Sequence, residues 1–310
     1  AKKIGVDAIK IQLYKPDEIT LNVNSSDFNI KKSNTWGKKK SYYNLYKKGA
    51  TPYNWYSKLK NICDKNKIIL FSSVFDLKTV DFLEKNKCPI YKIASPEITD
   101  VPLISKVAKT RKPIFISTGL ATKKDIELAL KILKKNKCNK IVVMKCTSAY
   151  PAPINEINLK TMQNYEKKFK VKTGFSDHTL GETASIVATT LGARVIEKHI
   201  MLNKKTKSLD SFFSLSVNEF KNFVNKIKDT KKCIGKVNYE ITSSALKNLD
   251  GRKSLYVSKD IKKGQFFSEE NIKSVRPTYG LHPKYFFKIL NKRCKKNMRK
   301  GERLTLSTIK

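Results

Sequence analysis

Short apolar runs alternate along the chain with longer segments in which apolar residues recur three and four positions apart. The runs are Asp7–Tyr14, Ile68–Phe75, Ile90–Ser95, Pro113–Thr118, Lys140–Thr147, Lys172–His178 and Arg194–Ile200. Ile, Val and Phe are prominent in them, which suits strands buried on both faces of a parallel sheet. The segments between predict helices over Trp55–Asn66, Lys78–Asn86, Pro102–Lys109, Thr122–Asn136 and Leu180–Leu191. In the fourth, Thr122 is placed to cap the first turn, and Ile126, Ala129, Leu130 and Leu133 form one face. Glu219–Ile234 predicts a further packing helix. Repeated β-then-α units argue for an α/β fold.

Within that class the expectation is a (β/α)8 TIM barrel. Such a barrel needs eight strands and seven are visible. The chain opens on Ala1 and enters a strand within a few residues. The expectation is therefore a truncated N-terminus and a barrel without its first strand. An open doubly wound sheet is the alternative, but no GxGxxG follows any strand. Polar residues gather at nearly every strand's C-terminal end, where a barrel places its active site. From Gly251 the pattern changes to short β-like pieces (Ser254–Val257, Ser274–Pro277, Arg303–Leu306) with Lys-Lys-Gly and Lys-Gly turns. The expected division is a barrel domain over 1–236, a linker over 237–250, and a small, mostly β domain over 251–310.

The formal net charge of +39 raises the possibility of nucleic acid as a partner. Only seven of the 65 basic residues are arginine, the usual reader of bases and phosphates. The lysines are spread over helix faces and loops, so they predict solvated surface and long-range attraction of small anions, with no nucleic-acid partner. No apolar run approaches the roughly 20 residues that span a bilayer, and no secretory leader opens the chain. A cytoplasmic protein is expected, without a membrane partner. The six cysteines have no zinc-site spacing and are expected to be reduced and mostly buried.

The chain has three histidines, and two stand at ends of successive strands, in Ser176-Asp177-His178-Thr179 and Glu197-Lys198-His199. Two neutral imidazoles at a barrel mouth can hold a divalent metal. Lys10, Lys92 and Lys145 break other apolar runs. A lysine in a buried strand is costly unless paired, and one anionic ligand could pair several. Ser73, Ser95, Ser148 and Ser176 also end strands and can donate to phosphate oxygens. Gln12, Glu97, Tyr150 and Asp210 lie near the same rim, suited to sugar hydroxyl or acetamido groups.

The strings KIQLY (10–14), YKIASPE (91–97), ISTGLAT (116–122), KCTSAYP (145–151), GFSDHTLG (174–181) and EKH (197–199) resemble the sialic acid synthase family. RKSLYVSKDIKKG (252–264) and RPTYGLHP (276–283) resemble that family's antifreeze-like (SAF) domain. The stretch 27–56, with KCTSAYPAP and YGLHP, is most similar to the pseudaminic acid synthase branch. The resemblance implies condensation of phosphoenolpyruvate with an open-chain amino sugar over a divalent metal (manganese, magnesium or cobalt). It implies metal binding by His178 and His199, with Lys92 joining them in catalysis. Lys10, Ser73, Lys92, Ser95, Ser148 and Ser176 would hold phosphoenolpyruvate, and Gln12, Tyr150 and Asp210 the sugar. Arg276 of the partner subunit would reach the acetamido end, in a domain-swapped homodimer. The chain departs from the family in lacking an opening IAEIG-type strand, in Ser73, Val74 and Ser148, and in Lys207-Ser208-Leu209-Asp210. The expected function is that of a pseudaminic acid synthase acting on a 2,4-diacetamido-2,4,6-trideoxy hexose. The alternatives are an N-acetylneuraminate or legionaminate synthase, and an inactive or non-catalytic anion-binding chain.

Overall fold

The computed structural model describes residues 1–31, 34–36, 41–205 and 207–310. Seven parallel strands pair in sequence order: β1 (Ala8–Gln12), β2 (Ile69–Val74), β3 (Tyr91–Ile93), β4 (Ile114–Ser117), β5 (Ile141–Cys146), β6 (Lys172–Asp177) and β7 (Val195–Lys198). All seven lie inside the apolar runs. The sheet is strongly curled, because Lys10 on β1 and Glu197 on β7 meet at 2.5 Å although their strands are first and last. Both end strands are mostly half-buried, while β3 is buried throughout. A short parallel pair, β8 (Ile200–Met201) with β9 (Leu215–Ser216), follows.

Helices return the chain between strands: α1 (Pro16–Ile19) and α2 (Tyr42–Gly49) after β1, then α3 (Tyr56–Lys65), α4 (Leu77–Lys85), α5 (Val101–Lys109), α6 (Lys123–Lys135), α7 (Lys160–Phe169), α8 (Thr183–Thr190) and α9 (Val217–Ile234). The amphipathic face foreseen for α6 is the one buried, and Thr122 forms a capping box with Asp125. Ser216 and Glu219 form the same box at α9, which is why that helix starts at Val217 rather than Glu219. Helices α2 and α7 fall outside the sequence expectation. In α7 the apolar positions Met162, Tyr165 and Phe169 are separated by lysines and amides that mask the face.

Helices α3, α4 and α6 end alike, in Asn-Lys-apolar. Lys67, Lys87 and Lys137 adopt left-handed φ of 52°, 55° and 62°. The next residues, Ile68, Cys88 and Cys138, are buried and donate backbone N–H to Cys63, Leu83 and Leu133 carbonyls. This is the Schellman closure, which normally takes glycine at the left-handed site. Lys87→Gly is therefore expected to stabilise the protein by about 0.5–1 kcal/mol in denaturant unfolding, through relief of Cβ strain. It also explains why Cys88 and Cys138 are buried. All six cysteines are free, and of these only Cys233 is exposed.

The chain divides by contacts into Ala1–Gly235 and Lys236–Lys310. The second unit holds β10 (Ser254–Val257) paired antiparallel with β11 (Ile272–Val275), around a core of Leu255, Phe267, Ile272 and Leu304. Gly264 and Gly301, in the two Lys-Gly turns, have φ of 85° and 90°. Arg303–Leu306 forms an isolated bridge and a 3-10 turn instead of a strand.

Candidate active site

Alternation along a strand and in-register parallel pairing decide which residues share the inside of the curled sheet. Gln12, Ser73 and Lys92 are register neighbours across β1, β2 and β3. Cys146, Ser176 and Glu197 are neighbours across β5, β6 and β7. The curl brings the two sets together. Lys10 and Lys92 both donate to Glu197 Oε1, at 2.5 and 3.1 Å, and Ser176 Oγ donates to the same atom at 3.0 Å. The side chain of Lys92 is 3% exposed. Burial alone would raise the Glu197 carboxyl, but the two ammonium groups override it and hold the carboxylate ionised, well below its usual range. Its Oε2 is buried and has no hydrogen-bond partner among the described residues.

Lys10 and Lys92 thus share a buried counter-charge within the chain itself, the Glu197 carboxylate. Glu197 was legible as the carboxylate two positions before His199 on a predicted strand, and so on the same face. Lys145 corrects an expectation. Cys146 faces the interior, so Lys145 faces away, and its Nζ bonds the Cys146 carbonyl at 2.8 Å.

His178 and His199 stand beside the lysine cluster with ring centroids 5.4 Å apart. Each engages the protein through Nδ1. His178 contacts the Thr147 carbonyl at 3.2 Å and Cys146 Sγ at 3.7 Å. His199 faces Asp210 Oδ2 at 3.5 Å. Burial, then the nearby Lys10 and His178, push His199 down to about 3, so it is a neutral imidazole at physiological pH. Neutral imidazoles are the form that ligates metals, and the pair fits a divalent cation as two nitrogen donors. Among the described residues no group of three or more His, Cys, Asp or Glu could hold a metal.

Behind the histidines, Asp177 and Lys198 point outward and pair at 2.8 Å, with side chains 0% and 1% exposed. Asp177 also accepts from Thr179 and Ser185, and Lys198 donates to the Thr179 carbonyl. This satisfied network joins β6 to β7 one residue before each histidine.

Gly119 N–H donates to Ser95 Oγ at 2.9 Å, and a Cβ at 119 would lie 2.2 Å from Ser148 Oγ. The turn after β4 therefore needs glycine to lie against both serines. Tyr150 packs on His178 with centroids 4.5 Å apart. Glu97 Oε2 is buried without a hydrogen-bond partner among the described residues, and burial pushes the carboxyl up to about 7. The folded state therefore holds its proton to higher pH than the unfolded chain, and stability is lost as pH rises from 4.5 through 7. Glu97→Gln should be stabilising relative to the parent at pH 8 by on the order of 2 kcal/mol, and nearly neutral at pH 5. Urea unfolding at the two pH values checks this. Of the expected site residues, Arg276 belongs to the second unit, where it is exposed.

The NeuB family model matches residues 1–239, and the SAF domain model matches 252–310. The chain belongs to the NeuB family. It is 44% identical to a pseudaminic acid synthase of Campylobacter jejuni, over 98% of this chain and 88% of that protein. It is 40% identical to a pseudaminic acid synthase of Helicobacter pylori, over 99% and 90%. Among solved structures it resembles an N-acetylneuraminic acid synthetase of Leptospira borgpetersenii, with a TM-score of 0.68 and 26% identity over 80% of this chain and 81% of that one. As a NeuB-family chain it carries the curled parallel sheet with a C-terminal SAF domain that its sequence suggested. Residues the sequence reading passed over, Trp36, Cys146, Glu197 and Phe213, all contact the candidate site.

Proposed function

We propose that this chain is a cytoplasmic pseudaminic acid synthase, which condenses phosphoenolpyruvate with an open-chain 2,4-diacetamido-2,4,6-trideoxy hexose to give a nonulosonic acid and phosphate. The observation that carries the reading is the convergence of Lys10 and Lys92 on Glu197, next to two histidines at the mouth of a curled parallel sheet. Glu197 offsets only part of the local positive charge, and a small ligand with a carboxylate and a phosphate supplies the rest.

In this reading Lys10 and Lys92 hold the anionic groups of phosphoenolpyruvate, and Ser73, Ser95, Ser148 and Ser176 donate to its oxygens. Gln12, Glu97, Tyr150 and Asp210 orient the sugar. His178 and His199 would hold a divalent cation (manganese, magnesium or cobalt), which supplies Lewis acidity at the aldehyde oxygen when bound. Held this way, C3 of phosphoenolpyruvate lies against the aldehyde carbon and forms the new C–C bond. Water adds at C2, and the tetrahedral intermediate expels phosphate to leave the 2-keto acid. In a domain-swapped homodimer the partner's Arg276 completes the acetamido end. Lys92→Met tests the anion site. Phosphoenolpyruvate affinity by calorimetry should fall about tenfold to hundredfold, the value of a charge-assisted hydrogen bond. Unchanged affinity would remove Lys92 from the site.

A further inference from the structure

The candidate site has two unlike halves. On one, lysines and Ser176 converge on Glu197. On the other, rings follow one another without a break. Trp36 lies 5.1 Å from Tyr150, Tyr150 lies 5.2 Å from Phe213, and Phe213 lies 4.8 Å from His199. Phe213 is 2% exposed and forms the packed base of this wall, whereas Trp36 is half-buried at its edge. The indole is also tethered. Its Nε1 donates to the Leu209 carbonyl at 3.2 Å, and the next residue is Asp210, which faces His199. Trp36 therefore meets the site twice, through the Tyr150 ring and through the loop that carries Asp210.

Aromatic faces favour C–H and methyl surface, and a hydroxyl set against them loses its water without a replacement partner. We propose that Trp36 is the specificity-determining residue of the sugar subsite. Its indole, with Tyr150, takes the deoxygenated C6 end of the amino sugar and disfavours the same sugar carrying a 6-hydroxyl. This rests on the reading of the chain as a synthase for a deoxygenated amino sugar. A residue that only tied two loops together would lower turnover of both sugars alike. A specificity residue changes their ratio.

Two measurements test it. The first compares kcat/KM for the 6-deoxy diacetamido hexose and its 6-hydroxy counterpart. In Trp36→Ala the preference for the deoxy sugar should shrink about tenfold, through KM for the sugar, with KM for phosphoenolpyruvate unchanged. Trp36→Phe should restore most of it. The second needs no turnover. The chain has two tryptophans, and Trp55→Phe leaves Trp36 as the one emitter. With phosphoenolpyruvate and a chelator present, Trp36 emission should respond to the deoxy sugar at about tenfold lower concentration than to the hydroxylated one. An unchanged ratio in Trp36→Ala, or emission that responds equally or not at all to the two sugars, overturns the assignment. Failure of the unmodified protein to turn over either sugar would instead count against the proposed function, and the emission titration would still decide the wall.

Discussion

Glu197→Gln is expected to cost more than any other single change in the site. The substitution keeps size and removes the one charge that both Lys10 and Lys92 contact. Two like charges then share a largely buried site, and breaking a buried ion pair from one side costs about 3–5 kcal/mol. Turnover should fall at least about a hundredfold, as it does when preorganised charge is removed from an active site. A second signature separates this from simple damage. On the proposed reading the carboxylate and phosphate of phosphoenolpyruvate would replace the missing counter-charge, so the ligand should raise the Tm of the variant by more than it raises the Tm of the parent. Equal shifts would mean that the lysines do not face the ligand.

His199→Ala is the second large effect. The ring is held neutral by burial and by the cations around it, and it packs between Phe213 and His178. On the proposed reading its loss removes one of the two imidazoles that would hold the cation. Residues that only support a metal ligand are worth about 10- to 100-fold in affinity, so loss of the donor itself should exceed about a hundredfold. Calorimetric titration with manganese or cobalt reads this directly. His282→Ala, in the second unit, should leave the same titration unchanged. An equal fall in both variants would separate cation binding from the candidate site.

Much of this arrangement was legible before any coordinates. The inner strands β2–β6 announced themselves because strands buried on both faces cannot carry alternating polarity, so each became an apolar run, while the half-buried end strands β1 and β7 showed as apolar residues interrupted by Lys10 and Glu197. The helices with one clean apolar face, such as α6, were equally plain. Helices α2 and α7 were hidden because abundant lysine and asparagine interrupt their faces. Strand ends located Lys92, Ser176, His178 and His199, since in this fold those ends meet in space. Lys145 misled because an apolar run gives no phase. The register of Cys146 with Ser176 and its contact with His178 show which face of β5 points inward. Glu197 could have been found from the period of two that joins it to His199. Trp36 and Phe213 could not, because they reach the site from loops whose paths no local pattern encodes.

The reaction itself is the most direct test of the account. Purified protein is incubated with phosphoenolpyruvate, manganese and 2,4-diacetamido-2,4,6-trideoxy hexose, in parallel with N-acetylmannosamine. Phosphate and the product mass are then measured together. The account predicts one phosphate per nine-carbon acid formed, abolished by a chelator and restored by manganese, with the trideoxy sugar strongly preferred. Turnover confined to N-acetylmannosamine, or no consumption of phosphoenolpyruvate with either sugar, would contradict it.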